Sequence, residues 1–176
     1  MHEDLIEKIE IPEGVEVNIN SAISIKGPKG TLERAFPVSM RKEGNIIILE
    51  SKNATKNQKK LIKTARAHIK NMLRGVTEGY EYLLQVCSVH FPITVTADKN
   101  YFNIKNFLGE TTPRKAKIVD GVQLKIEGDI IKITGIDIEA TGQTAANIEM
   151  ATKIKNRDRT RFQDGIWIIK KAGEEI

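Results

Sequence analysis

Val15, Val17 and Ile19 alternate with polar residues, and Ile23 and Ile25 continue the alternation. A period of two is that of a strand with one buried face. The turn Lys26-Gly27-Pro28-Lys29-Gly30 follows; Pro presets φ there and Gly admits a positive φ. Thr31 to Val38 and Ile46 to Leu49 read as further strands, with Lys42-Glu43-Gly44-Asn45 as the turn between them. The period then lengthens. Leu61, Ile62, Ala65, Ile69, Met72 and Leu73 form one helical stripe. They predict a helix from Lys56 to Arg74, ended by Gly75. Past Gly79, Tyr80 to Val89 reads as a strand.

After Pro92 the same order recurs. Ile93, Val95 and Ala97 alternate, and then Phe102, Ile104, Lys105 and Gly109 fall at the spacing of Ile23, Ile25, Lys26 and Gly30. Ile130 to Ile133 echoes Ile46 to Leu49, and Gln143 to Ile154 reads as a second helix. Gly165 to Ile169 matches Gly79 to Leu83. Preserved element order over such a length points to an internal duplication. The expected fold is α+β: two tandem similar domains, residues 1–80 and 81–176, each a small antiparallel sheet packed on one helix. Apolar residues are 40% and aromatics 5% of the 176 residues, which suits two small aliphatic cores.

Charge has a local pattern that the net value of +5 hides. From Ser51 to Thr77 there is no acid, and Lys59, Lys63, Arg66, Lys70 and Arg74 share one helix face away from the apolar stripe. A solvated face is the ordinary explanation for charge on a helix. Such faces usually interleave Glu with Lys, because like charges at i,i+4 repel. The uninterrupted run therefore favours contact with a polyanion. A second cluster, Lys153, Lys155, Arg157, Arg159 and Arg161, is opposed only by Asp158 and spans the end of the second helix and the loop after it. Cations are favoured at a helix C-terminus, but that effect fades within a turn. Arg beyond it suits phosphate. A smaller group is Arg114, Lys115 and Lys117. Phe107, in the turn Asn106-Phe107-Leu108-Gly109, either stacks on a base or packs on a neighbour, and packing is commoner.

Several classes fall away. No run of about 18 apolar residues exists, so no membrane-spanning helix is expected. Met1 to Glu10 holds four acids and no apolar stretch, unlike a secretory signal. The single cysteine, Cys87, excludes a disulfide framework and suits a reducing cytoplasm. Cys87 and His90, three apart in a presumed strand, would face opposite ways, against a nucleophile–base pair or a shared metal. No catalytic set, metal site or cofactor is expected. Asp120, Asp129, Asp137 and Asp164 fall mostly at turns, their ordinary habitat.

The chain resembles the large-subunit ribosomal protein L-six family, archaeal and eukaryotic branch. Five motifs carry the resemblance, in order: Lys26 to Leu32, Gly75 to Tyr80, Val89 to Ile93, Asn106 to Glu110 and Phe162 to Ile166. Trp167 and Thr160 depart from the branch pattern, which has Tyr at the first position and a basic residue at the second. The resemblance implies a non-enzymatic structural protein on cytoplasmic ribosomes. Its second domain would be the main binder of large-subunit rRNA, near the sarcin-ricin loop and the docking region of translational GTPases. Neighbouring ribosomal proteins are the other expected partners, without membrane or homo-oligomer. The RNA-facing residues it implies are Asn106, Phe107, Leu108 and Gly109, then Asn156, Arg157, Arg159 and Arg161. To these the charge pattern adds Arg114, Lys115, Lys153 and Lys155, and, as RNA or protein contacts, the α-helical Lys59, Lys63, Arg66, Lys70 and Arg74. The alternative is a free-standing regulatory RNA-binding protein. Sparse aromatics favour structured RNA held by its backbone.

Overall fold

The computed structural model describes residues 3–158 and 160–175. The chain divides into two units, Met1–Gly79 and Tyr80–Ile176. The first runs β1 (Glu3–Glu10), β2 (Glu16–Ile19), β3 (Ile23–Gly27), β4 (Gly30–Arg34), β5 (Ser39–Glu43), β6 (Ile46–Ala54) and α1 (Lys56–Thr77). The second runs β7 (Tyr80–Cys87), β8 (Thr94–Ala97), β9 (Tyr101–Lys105), a 3-10 turn (Phe107–Gly109), β10 (Arg114–Lys117), β11 (Val122–Glu127), β12 (Ile130–Gly135), α2 (Ile138–Ala151), β13 (Gly165–Lys171) and β14 (Glu174–Glu175).

Each unit holds two antiparallel sheets where one was expected. The first unit has β2-β3-β4 and β1-β6-β5; the second has β10-β9-β8 and β11-β12-β7-β13-β14. The two units share six strands in the same arrangement, and β13 and β14 are additions to the second. β3 and β9 are the central strands of the three-stranded sheets, and their inward residues Ile23, Ile25, Phe102 and Ile104 are all 0% exposed. β1 pairs with β6 as β7 pairs with β12. β7 therefore opens the second unit and does not close the first. Matching Gly79–Leu83 to Gly165–Ile169 equated two strands with different places, since β13 has no counterpart and pairs with the other edge of β7. Period-two patterning reports burial, not the partner strand.

Both helices differ from their expected bounds. α1 passes through Gly75, which is buried inside it, and closes at Gly79 with φ +74°. The Arg74 carbonyl accepts from Glu78 N at 2.8 Å and Gly79 N at 3.3 Å. Gly ends a helix where it takes the left-handed conformation, and Gly79 does so. Thr55 and Gln58 form a capping box at its start. Ile62, Ala65, Ile69, Met72, Leu73 and Val76 are buried, whereas Leu61 is 43% exposed and lies outside the buried stripe. α2 starts five residues before Gln143 and ends before Ile154. Its N-cap is Asp137, whose carboxylate accepts from Glu139 N at 3.0 Å. Thr141 and Gly142 are weak helix formers. They serve close packing here: the Thr141 hydroxyl donates to Asp137 O, and a Cβ on Gly142 would lie 3.0 Å from the Tyr82 hydroxyl.

Gly27 marks another close approach, this time of β3 to α1. A Cβ there would lie 2.7 Å from Val76 Cγ2 and 2.8 Å from the Val76 carbonyl oxygen. The same carbonyl accepts from Lys29 N at 3.0 Å, fixing the turn on the helix end. Gly27→Ala is expected to destabilise by about 1–3 kcal/mol through overpacking, read as a lower urea midpoint by circular dichroism.

Candidate nucleic-acid interface

Three loops of the second unit converge: residues 88–92, 106–113 and 152–164. Asp164 joins the first to the third. It is 1% exposed, and its Oδ1 accepts from Val89 N at 2.7 Å and His90 N at 2.9 Å. The His90 Nδ1–H donates to Oδ2 at 2.6 Å. Burial alone pushes the Asp164 carboxyl up, but the hydrogen bonds from His90 and Val89 together outweigh it and hold the carboxyl below its ordinary range. β7 ends at Cys87, so His90 sits in a loop and the opposite-faces argument does not apply to it. His90 is a partner of Asp164, and among the described residues no nucleophile is joined to the pair. The sequence reading treated Asp164 as an ordinary turn residue; its position in Phe162-Gln163-Asp164-Gly165 gave no sign of burial.

His90 also stacks on Phe162, with ring centroids 4.8 Å apart. The Arg157 guanidinium lies 4.9 Å from the centroid of the same ring. Asn156 takes φ +57°, a left-handed conformation that Asn tolerates. Asp158 closes the next turn, its Oδ1 accepting from Thr160 N at 2.9 Å and from the Thr160 hydroxyl at 2.8 Å. These bonds hold its carboxyl low. Asp158, the one acid opposing the cationic run, is thus occupied within the loop. Lys153, Lys155, Arg157 and Arg161 are exposed. Arg159 lies outside the described residues. The run begins beyond α2, whose last turn has no basic residue, so a helix-dipole role does not account for it.

Arg114 joins the second loop to the end of α2. Its Nε and Nη2 donate to the two Glu110 oxygens at 2.8 and 2.6 Å, and Nη1 donates to Ala151 O at 2.8 Å. The guanidinium covers the Phe107 ring at 4.3 Å. Arg114 and its bonds hold the Glu110 carboxyl below its ordinary range. Two of the expected residues make internal contacts. Phe107 is 1% exposed and its ring is part of the core. Arg114 is an internal clamp capping the free carbonyls of α2, while Lys115 beside it on β10 is exposed. Asn106 and Leu108 have φ +58° and +51°, and Gly109 +78°. The Asn106 side-chain amide donates to Pro92 O at 3.1 Å, tying this turn to the first loop. Leu108 in that region costs about 1–2 kcal/mol, and such conformations cluster at ligand sites.

The α1 face is less uniformly cationic than the sequence implies. Glu7 from β1 lies 3.4 Å from Arg66 Nε, and Glu78 lies 3.0 Å from Arg74 Nε. The acids come from outside Ser51–Thr77, which is why the run looked unopposed. Lys63 and Lys70 are exposed and Lys59 half-buried.

Comparison with known proteins gives this geometry a family. The family model "Ribosomal protein L6" matches residues 11–79 and 91–165, one stretch in each unit. The chain belongs to the ribosomal protein L6 family. It is 48% identical over 169 residues to large ribosomal subunit protein uL6 of Methanobrevibacter smithii, covering 94% of this chain and 95% of that one. It is 46% identical over 172 residues to uL6 of Sulfurisphaera tokodaii, covering 95% and 92%. For uL6 of Methanococcus vannielii the identity is 46% over 174 residues, covering 97% and 96%. These archaeal relatives agree with the archaeal-type branch read from the motifs. The family is one of ribosomal proteins, not of enzymes.

Asp164→Asn is expected to lower stability at pH 7 by about 1–3 kcal/mol, the cost of a poorly matched buried polar group. The folded carboxyl is more acidic than the unfolded one, so its contribution is full above the ordinary Asp range. It is lost as pH falls through the folded value. Urea titrations of both proteins should therefore draw together as pH falls below about 4, the unfolded Asp value, and meet only below the lower folded value.

Proposed function

We propose that the chain is a structural component of the large ribosomal subunit, and that its second unit is the main rRNA binder. The reading is supported by the family, by the relatives being large ribosomal subunit proteins, and above all by one observation. The loop of residues 152–164 presents Lys153, Lys155, Arg157 and Arg161 outward while buried Asp164 and the Phe162 stack hold its base. A held loop places cations with little ordering cost on binding. Phosphate neutralisation supplies affinity and the rigid frame supplies register.

Asn106, Leu108 and Gly109 extend this surface, with Lys115 beside it and Phe107 and Arg114 shaping it from within. Asn156 lies in the same loop, and Arg159 joins the proposed set from its place in the sequence alone. Residues 1–80, with Lys63 and Lys70 exposed on α1, take the secondary contacts, to RNA or a neighbouring ribosomal protein. The site on the ribosome is the rRNA near the sarcin-ricin loop, beside the GTPase docking region. As part of the ribosome the protein is cytoplasmic. Among the described residues no helix is long and apolar enough to cross a membrane.

Replacing Arg157 and Arg161 with Ala should weaken binding to protein-free large-subunit rRNA. It should also lower the log–log salt slope by about 1.4–1.8 units, from roughly 0.7–0.9 per phosphate contact. An unchanged slope in filter binding removes this loop from the interface. Co-sedimentation with large subunits in high salt separates a ribosomal component from a free-standing regulator, which would stay in the supernatant.

A further inference from the structure

The third loop and β13 enclose a cavity of about 390 Å³ lined by Cys87, Val89, Ile154, Phe162, Gln163 and Trp167. Its walls are mainly apolar, yet two of the apolar residues are open to solvent, Val89 at 67% and Trp167 at 41%, as is Gln163. Trp167 alternates with the inward residues Ile166 and Ile168, so it stands on the outer face of its strand. Gly165 backs the indole: a Cβ there would lie 3.2 Å from ring atoms Cε2 and Nε1. The indole N–H donates to Gln163 O at 3.4 Å. The ring is thus held on one side and offered on the other. Phe162 is different, since His90 and Arg157 already lie against its ring.

Cations bracket this cavity along the chain. Lys153 and Lys155 flank Ile154, and Arg161 precedes Phe162; all three are exposed. An apolar slot with one available aromatic face, whose lining residues Ile154 and Phe162 have exposed cations as chain neighbours, has the chemistry of a nucleotide site: base within, phosphate beside it. An aliphatic side chain of a protein partner would use the slot and leave these cations unmatched. We propose that this cavity takes one unpaired RNA base, stacked on Trp167, with its flanking phosphates at Lys155 and Arg161. The site rests on the rRNA reading above and adds to it a base-stacking contact, beyond attachment through the backbone.

Trp167 is the only tryptophan of the chain, so its emission reports this cavity alone. The full chain is titrated with protein-free large-subunit rRNA, with filter binding and fluorescence read in parallel. Binding should quench Trp167 and shield it from acrylamide. Trp167→Ala should weaken binding about 5- to 100-fold, the range for removing a base-stacking aromatic. Its salt slope should stay unchanged, because no phosphate contact is lost, and Trp167→Phe should recover most of the affinity. RNA binding with Trp167 emission and acrylamide access unchanged overturns the base pocket and leaves the rRNA reading standing. This arm needs no variant and is independent of folding. Absence of RNA binding overturns both.

Discussion

A carboxylate removed from water must be matched by donors, and Asp164 meets that demand from another loop. Its partners Val89 and His90 lie about 75 residues earlier in the chain, at separations of 75 and 74. Three N–H groups converge on one buried side chain, and the cost of leaving them unpaired makes the arrangement hard to exchange for another. The position of β13 follows from it, because Asp164 immediately precedes Gly165, the first residue of that strand. The Phe162 stack follows too, since His90 is fixed at both backbone and ring.

Arg114 plays the complementary part with opposite charge. It takes the carbonyl of Ala151 at the end of α2, both oxygens of Glu110, and the face of Phe107. The two clamps lie on either side of the cationic loop. What the loop then offers to solvent is charge on a frame already ordered. The second unit, with 14 cations and 13 acids across residues 81–176, is nearly neutral. What it can offer a polyanion depends on which charges are committed internally. Asp158, Glu110 and Arg114 are committed, while Lys153, Lys155 and Arg161 face outward.

The duplication was legible because Ile23, Ile25, Phe102 and Ile104 must each be inward on a strand, and spacing alone exposes that. Pairing was not legible: β7 and β13 read alike, yet one is central and the other an addition to its edge. The start of α2 was hidden by Thr141 and Gly142, chosen for close packing over propensity. β1 was missed because its acids masked the inward Leu5 and Ile9. The cationic loop could be found from its composition. Asp164 and the internal use of Arg114 could not, because both depend on contacts between distant segments. Charge runs overstate exposed charge wherever such contacts exist, as Glu7 at Arg66 shows on α1.

The claim that the interface is ordered before RNA arrives is tested most directly by native-state amide hydrogen exchange of the free protein. Val89 and His90, which donate to Asp164, and Ile166, whose N–H donates to the Thr152 hydroxyl at 2.9 Å, are the reporting amides. They are predicted to exchange as slowly as the strand amides of β7, through unfolding of the whole unit. Exchange at open-loop rates, with β7 still protected, would contradict a preformed surface.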